Sequence, residues 1–398
     1  MNFISNELAL ADEADHAQLR NLGALLTNLS VLISWIERSS IGEYSWPFVE
    51  ELKKIAYAIC TENTIDNPST PPKVHVLSEG GVARYAIAAE QKRPFPSKRR
   101  ILTVIFPRSL KHFVLLHSLL GHELGHAIWR GSEHEMSLKA IVQNELINPG
   151  GPLHSPQSAA AWLYSPNAPQ PIKDDLADLA KRRNITQANF FGGYAAWHAW
   201  IEEITCDIIG LLTFGPSFVA AATQALYGVA PSGGGFGPEH PPVGCRINFI
   251  ISAVQLLKMD QFTLPNAASN ALCQKFWEEI KSKRQLDPWY DVFPSVQIGN
   301  SVNGISALLS SHQPSHYPAA DPLRMSRLVS QLISNVPPVG YVFGGKGEPR
   351  CERVDFRHVL YAGWIVAAGQ SADSFFTLNR LCEHGIMQQH AIDIHTQQ

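Results

Sequence analysis

Leucine recurs at helical spacing near the start of the chain. Leu19, Leu22, Leu25, Leu26, Leu29 and Leu32 follow a 3.6-residue period and predict helices over the first sixty or so residues. A second helical run, FVEELKKIAYAIC, follows Trp46-Pro47. Residues 63–72 (NTIDNPSTPP) have the composition of a linker. Three β-like runs come next: KVHVL, ARYAIAA and RRILTVIF. The last is a continuous stretch of strand-favouring residues closed by Pro107, which predicts a buried strand.

Helical signals then dominate. Ser109 is a candidate N-cap for a helix running to Arg130, with Gly131 as its stop. Residues 148–171 are rich in Pro, Gly and Ser and predict a long surface loop. A short charged helix is expected from Asp174 to Arg183 and a longer one from Tyr194 to Leu212. Residues 228–242 (GVAPSGGGFGPEHPP) predict a loop ending in a rigid Pro pair. Beyond it, INFIISAVQLL, LVSQLI and VLYAGWIVAAG predict further helices, with breaks around 286–304 and 336–350. No internal repeat is visible. The uncharged stretch from Ile208 to Ala230 is long enough to span a bilayer. Gly215-Pro216 interrupts it, which predicts two buried helices at a turn and no transmembrane span. The expected fold is α+β and mainly helical, with a small β-sheet. Its expected regions are an N-terminal helical one (1–66), a core (73–258) and a C-terminal helical one (259–398).

Composition narrows the class. Only 17% of the 398 residues are charged, against about 25% in an average globular chain. That is too apolar for disorder. A net charge of -3 supplies no basic field, so nucleic acid is not expected as a partner. The acidic N-terminus lacks a signal-peptide pattern. The six cysteines lie far apart with no CxxC pair, as expected of reduced thiols in a cytoplasmic protein. Histidine, at sixteen copies, is high, and histidine is the commonest metal ligand.

Two of those histidines form a pattern, His122-Glu123-Leu124-Gly125-His126. On a helix, positions i and i+4 share a face, so both imidazoles can serve one ion. Glu123 is offset by one residue and can reach a water on that ion without displacing it. This is the arrangement of a zinc hydrolase, with two imidazole ligands and a carboxylate general base.

A third ligand is expected on the helix after Tyr194. Glu203 and Asp207 stand four apart on one face. Asp207 sits in an apolar run and needs a partner there, and a ligand histidine donating its second N–H is a natural one. Glu203 is therefore the expected third ligand and Asp207 its supporting group. Glu202 lacks an acidic residue four positions on and is the weaker ligand candidate. In the segment His240-Pro241-Pro242, a stiffened loop histidine can supply a donor for an oxyanion.

Taken together, these elements resemble the gluzincin metallopeptidases, most closely the branch of HtpX and the CAAX prenyl proteases. The shared order is HExxH, then ExxxD, then HP with an Arg six residues after the His. Here that is His122 to His126, Glu203 to Asp207, and His240 with Arg246. The resemblance covers roughly residues 75–258. It implies a zincin-like core with two metal-binding helices and one zinc per chain held by His122, His126 and Glu203. Glu123 is then the general base, Asp207 the support of a ligand histidine, His240 a transition-state contact and Arg246 the group that positions or assists it. The implied activity is hydrolysis of a protein or peptide substrate. The chain departs from that branch in lacking membrane spans and in its 148–175 insertion.

A strand edge can bind substrate backbone by β-addition, and both RRILTVIF and ARYAIAA are candidates. His112, His117, His134 and His198 lack ligand spacing, and with Trp197 and Trp200 they are expected in the core or on the surface. The alternatives to an active soluble peptidase are a silent or latent zinc-binding regulatory protein on the same scaffold, and a peripheral membrane enzyme suggested by the low charge content.

Overall fold

The amphipathic run after Ser45 folds as α1 (Trp46–Cys60), burying Phe48, Leu52, Ile55 and Ile59 along one face. The computed structural model describes residues 20, 22–24, 26–27, 30, 33, 45–60, 62–64, 67–70, 72–79, 85–89, 101–129, 135–145, 156–182, 189–229, 240–292, 295–311, 315–343 and 349–396. Of the leucine-rich helices expected earlier, the described positions between 20 and 33 are helical. Leu19, Leu25, Leu29 and Leu32 lie outside them.

The predicted linker is in part a β-ribbon. Strands β1 (Glu62–Thr64) and β2 (Asn67–Thr70) pair antiparallel, with Thr64 opposite Asn67. Thr64 and Thr70 favour extended backbone, and the turn-forming residues of a linker are also those of a hairpin. The three β-like runs form one mixed sheet in the order β3-β5-β4. Central β5 (Ile101–Pro107) pairs parallel with β3 (Lys73–Glu79) and antiparallel with β4 (Ala86–Ala89). Leu102, Val104 and Phe106 of β5 are buried, as its sequence predicts.

The helix expected from Ser109 begins eleven residues later. Residues 108–110 and 114–119 are 3₁₀ turns, and α2 spans Leu120–Trp129. Tertiary bonds claim the backbone there. Asn379 accepts from the Leu115 N–H at 2.9 Å, and the Leu115 carbonyl accepts from the Trp364 indole at 3.2 Å. Helix α3 (Glu135–Glu145) follows.

The predicted 148–171 loop contains α4 (Pro156–Leu163), where Pro at the first position leads into alanines that favour helix. Next come α5 (Gln170–Arg182) and α6 (Asn189–Phe214), both longer than expected. Gly215 ends α6 at φ +61°, the left-handed conformation glycine adopts without a steric penalty, and Pro216 opens α7 (Pro216–Val229). The uncharged 208–230 stretch is thus two helices, as read from Gly215-Pro216. Among the described residues no helix is long and apolar enough to cross a membrane.

After the described Pro pair come α8 (Val243–Leu256) and α9 (Ala267–Ser282). The expected break at 286–304 holds the start of α10 (Ser295–Ser310), whose Ile298, Val302, Ile305 and Leu309 form a buried stripe. Burial of that stripe outweighs the weak helix preference of its Gly, Ser and Asn residues. Helix α11 (Pro322–Ile333) precedes β6 (Tyr341–Phe343) and β7 (Pro349–Cys351), which pair antiparallel across the expected 336–350 break. Helices α12 (Phe356–Ala367) and α13 (Phe375–Thr396) complete the chain.

The result is a mainly helical α+β fold with a small mixed sheet. Helix α6 is its hub, touching α2, α4, α5, α7, α8 and α10. The C-terminal helices α12 and α13 hold residues 114–119, the lead-in to α2, and α13 also packs on α1. One cluster of buried apolar side chains runs from Phe48 to Ile386. The five described cysteines, Cys60, Cys206, Cys245, Cys273 and Cys382, are buried free thiols, in keeping with the expectation from their spacing.

Candidate metal centre

Helices α2 and α6 cross antiparallel at very short range. A Cβ on Gly121 would lie 3.0 Å from the Gly210 Cα, and one on Gly125 would lie 2.7 Å from the Cys206 Cα. The contacts descend along α6 as they rise along α2: His122 meets Asp207, and His126 meets Glu202. Small residues at the crossing let the two backbones approach closely enough for short side chains to bridge them.

Three predicted ligands converge at this crossing. Donor atoms of His122, His126 and Glu203 all lie within 4.8 Å of one another. The two Nε2 atoms are 3.2 Å apart. Glu203 Oε1 is 3.2 Å from His126 Nε2, and Oε2 is 3.4 Å from His122 Nε2. Ligands held at about 2.0–2.1 Å around a tetrahedral zinc are separated by about 3.3 Å, so the spacing fits that ion. Glu203 Oε2 is buried without a hydrogen bond, 3.4 Å from both His122 Nε2 and the Arg246 guanidinium, which leaves it open to a metal ion. Two imidazoles and one carboxylate are also a donor set typical of catalytic zinc.

Each imidazole is anchored through its other nitrogen. His122 Nδ1 lies 2.8 Å from Asp207 Oδ1, the role expected for Asp207. Arg246 then donates to both Asp207 oxygens, from Nε at 2.8 Å and from Nη2 at 2.7 Å, with its Nη1 3.4 Å from Glu203. Arg246 was expected to position or assist His240; its contacts are instead with Asp207 and Glu203. His126 Nδ1 lies 2.7 Å from Glu202 Oε1. The sequence reading weighed Glu202 only as a ligand and missed this contact. Its signal was a third carboxylate on an apolar helix, with Cys206 one turn on at the glycine contact.

Charge stabilises the cluster. Burial opposes ionisation of Asp207 and Glu203, but Arg246 and the imidazoles outweigh it and hold both carboxyls below their usual range. Burial likewise opposes the charged form of His122, yet Asp207 and Glu203 hold its pKa above the ordinary value. For His126, the Glu202 and Glu203 carboxylates outweigh burial and hold the ring above its ordinary value. Burial pushes the Cys206 thiol up to about 12, so it is neutral near pH 7. The centre thus favours positive charge, and a metal entering it displaces protons from the imidazoles.

Glu123 is half-buried on α2, beside but outside the ligand triad. Its Oε2 lies 3.4 Å from the backbone N–H of Ile87 on β4. Of the two β-runs weighed for substrate binding, β5 is enclosed between β3 and β4, and ARYAIAA contributes the edge strand that packs on α2. His240 is exposed, with Nε2 3.9 Å from Glu203 Oε1, which places it at the rim of the centre.

The remaining histidines that are described form no second metal cluster. His117 is fully buried among Phe48, Phe106 and Tyr85, and His112 pairs with Glu383. Trp200 is buried edge-to-face against Trp289. His134 and the side chains of Trp197 and His198 fall outside the described set. Compared with known protein families, curated proteins and solved structures, the chain matches none.

Proposed function

We propose that the chain is a zinc metalloendopeptidase with a zincin-like core, in which His122, His126 and Glu203 hold one zinc ion. The observation that carries this reading is the convergence of both Nε2 atoms and the Glu203 carboxylate at tetrahedral-ligand spacing. Zinc in such a site supplies a Lewis acid that acidifies water and polarises a carbonyl.

The chain's own residues do the rest. Glu123 takes the proton from the attacking water and delivers it to the leaving amine. It stands one residue from His122 on the same helix, and its carboxylate faces the edge strand β4. The Ile87 N–H of that strand points to Glu123. An extended peptide adding to β4 would lie along the general base, which supports an unfolded or extended protein segment as substrate. His240 at the rim donates to the oxyanion. Arg246 is committed to Asp207 and acts through His122. The exposure of His240 favours turnover over a sealed, silent centre.

Metal analysis of purified protein tests the reading. Wild type carries one zinc per chain, and His122→Ala carries none. Wild type that takes up no zinc on reconstitution would sink it.

A further inference from the structure

We propose that Glu202 is a positioning residue of this centre, fixing the ring orientation and tautomer of His126. The proposal rests on the zinc reading above. Helix α6 offers α2 two stripes side by side. Glu203 and Asp207, one turn apart, meet His122. One residue back, and so about 100° around the helix, Glu202 and Cys206 meet His126 and Gly125. His126 stands one turn beyond His122 on α2. The antiparallel crossing therefore carries it past Asp207 and onto Glu202.

The contact has a defined chemical consequence. A neutral imidazole carries one N–H, and an ionised carboxylate only accepts. When the ring is neutral, as a metal ligand must be, Glu202 Oε1 at 2.7 Å from Nδ1 holds its one proton there and leaves the Nε2 lone pair for the ion. That nitrogen is the one facing His122 Nε2 and Glu203 Oε1, each at 3.2 Å. Both ligand histidines are thus oriented by carboxylates of the same helix. Asp207 also holds the Arg246 guanidinium, and Glu202 bonds His126 from a half-buried position. Partners of this kind set ligand orientation and basicity, and removing one lowers metal affinity by about 10–100-fold.

The test uses full-length wild type, Glu202→Ala and Glu202→Gln. Zinc affinity is measured by competition with a chromophoric chelator, and the Tm of each zinc-free protein is recorded in parallel. Glu202→Ala is expected to weaken zinc about 10–100-fold with little change in zinc-free Tm. Glu202→Gln keeps a carbonyl acceptor for the Nδ1–H and is expected to lose less. Zinc held by Glu202→Ala as tightly as by wild type would overturn the proposal alone. So would equal losses in both variants accompanied by a matching fall in zinc-free Tm, which would reassign Glu202 to helix packing. Wild type without affinity for zinc would instead overturn the reading on which the proposal rests.

Discussion

A Cβ on Gly125 would stand 2.7 Å from the Cα of Cys206, so the metal-site helices touch backbone to backbone. An added methyl there has no flexible side-chain end to push aside. Gly125→Ala is expected to force α2 and α6 apart and to destabilise the fold by about 1–3 kcal/mol. It should also loosen zinc, because His122 and His126 ride on α2 while Glu203 rides on α6. Gly23, with nothing within 4 Å of its Cβ position, is the control. Gly23→Ala should leave stability unchanged or raise it by up to about 1 kcal/mol through helix propensity. Urea unfolding of both variants checks the contrast.

The Asp207 side chain is 1% exposed and takes two hydrogen bonds from Arg246. Removing the cation leaves a buried carboxylate whose remaining partner is an imidazole. Arg246→Met is expected to cost about 3–5 kcal/mol in zinc-free protein. A loss under about 1 kcal/mol would place the pair among ordinary surface bridges.

His117 predicts an acid-sensitive fold. Burial pushes its ring down to about 3, against an ordinary value of 6.5. The unfolded chain therefore binds a proton in that window and the folded chain does not. The sign is fixed: this contribution is fully present above pH 6.5 and is lost as pH falls toward 3. One such group changes stability by up to about 1.4 kcal/mol per pH unit. His117→Gln keeps an acceptor for the Tyr85 hydroxyl, which lies 3.0 Å from His117 Nδ1. The variant should flatten the slope between pH 6 and 4, read from urea midpoints. An unchanged slope would contradict the assignment.

The legible parts of this chain were those with a short-range physical cause. HExxH fixes two imidazoles on one helical face, and a lone aspartate in an apolar run demands a buried partner. His122, His126, Glu203 and Asp207 followed from these rules, and the structure brings them together. Gly215-Pro216 announced the α6–α7 turn by its backbone chemistry. What stayed hidden depends on tertiary partners. Residues 114–119 are not α-helical because Asn379 and Trp364, more than 240 residues away, take the Leu115 backbone groups. Helix α10 forms from a Gly- and Ser-rich segment because its apolar stripe is buried. Glu202 was passed over because its partner is set by the crossing of two helices, which spacing along one helix does not reveal.

In the proposed peptidase, catalysis turns on Glu123. Wild type and Glu123→Gln should each hold one zinc, since Glu123 is outside the ligand triad. Comparing protein N-termini in cells expressing one or the other tests the peptidase claim most directly. New N-termini are expected with wild type that are absent, or reduced by about 100-fold or more, with Glu123→Gln. The same set of N-termini at equal abundance in both, with zinc bound in both, would contradict the peptidase claim.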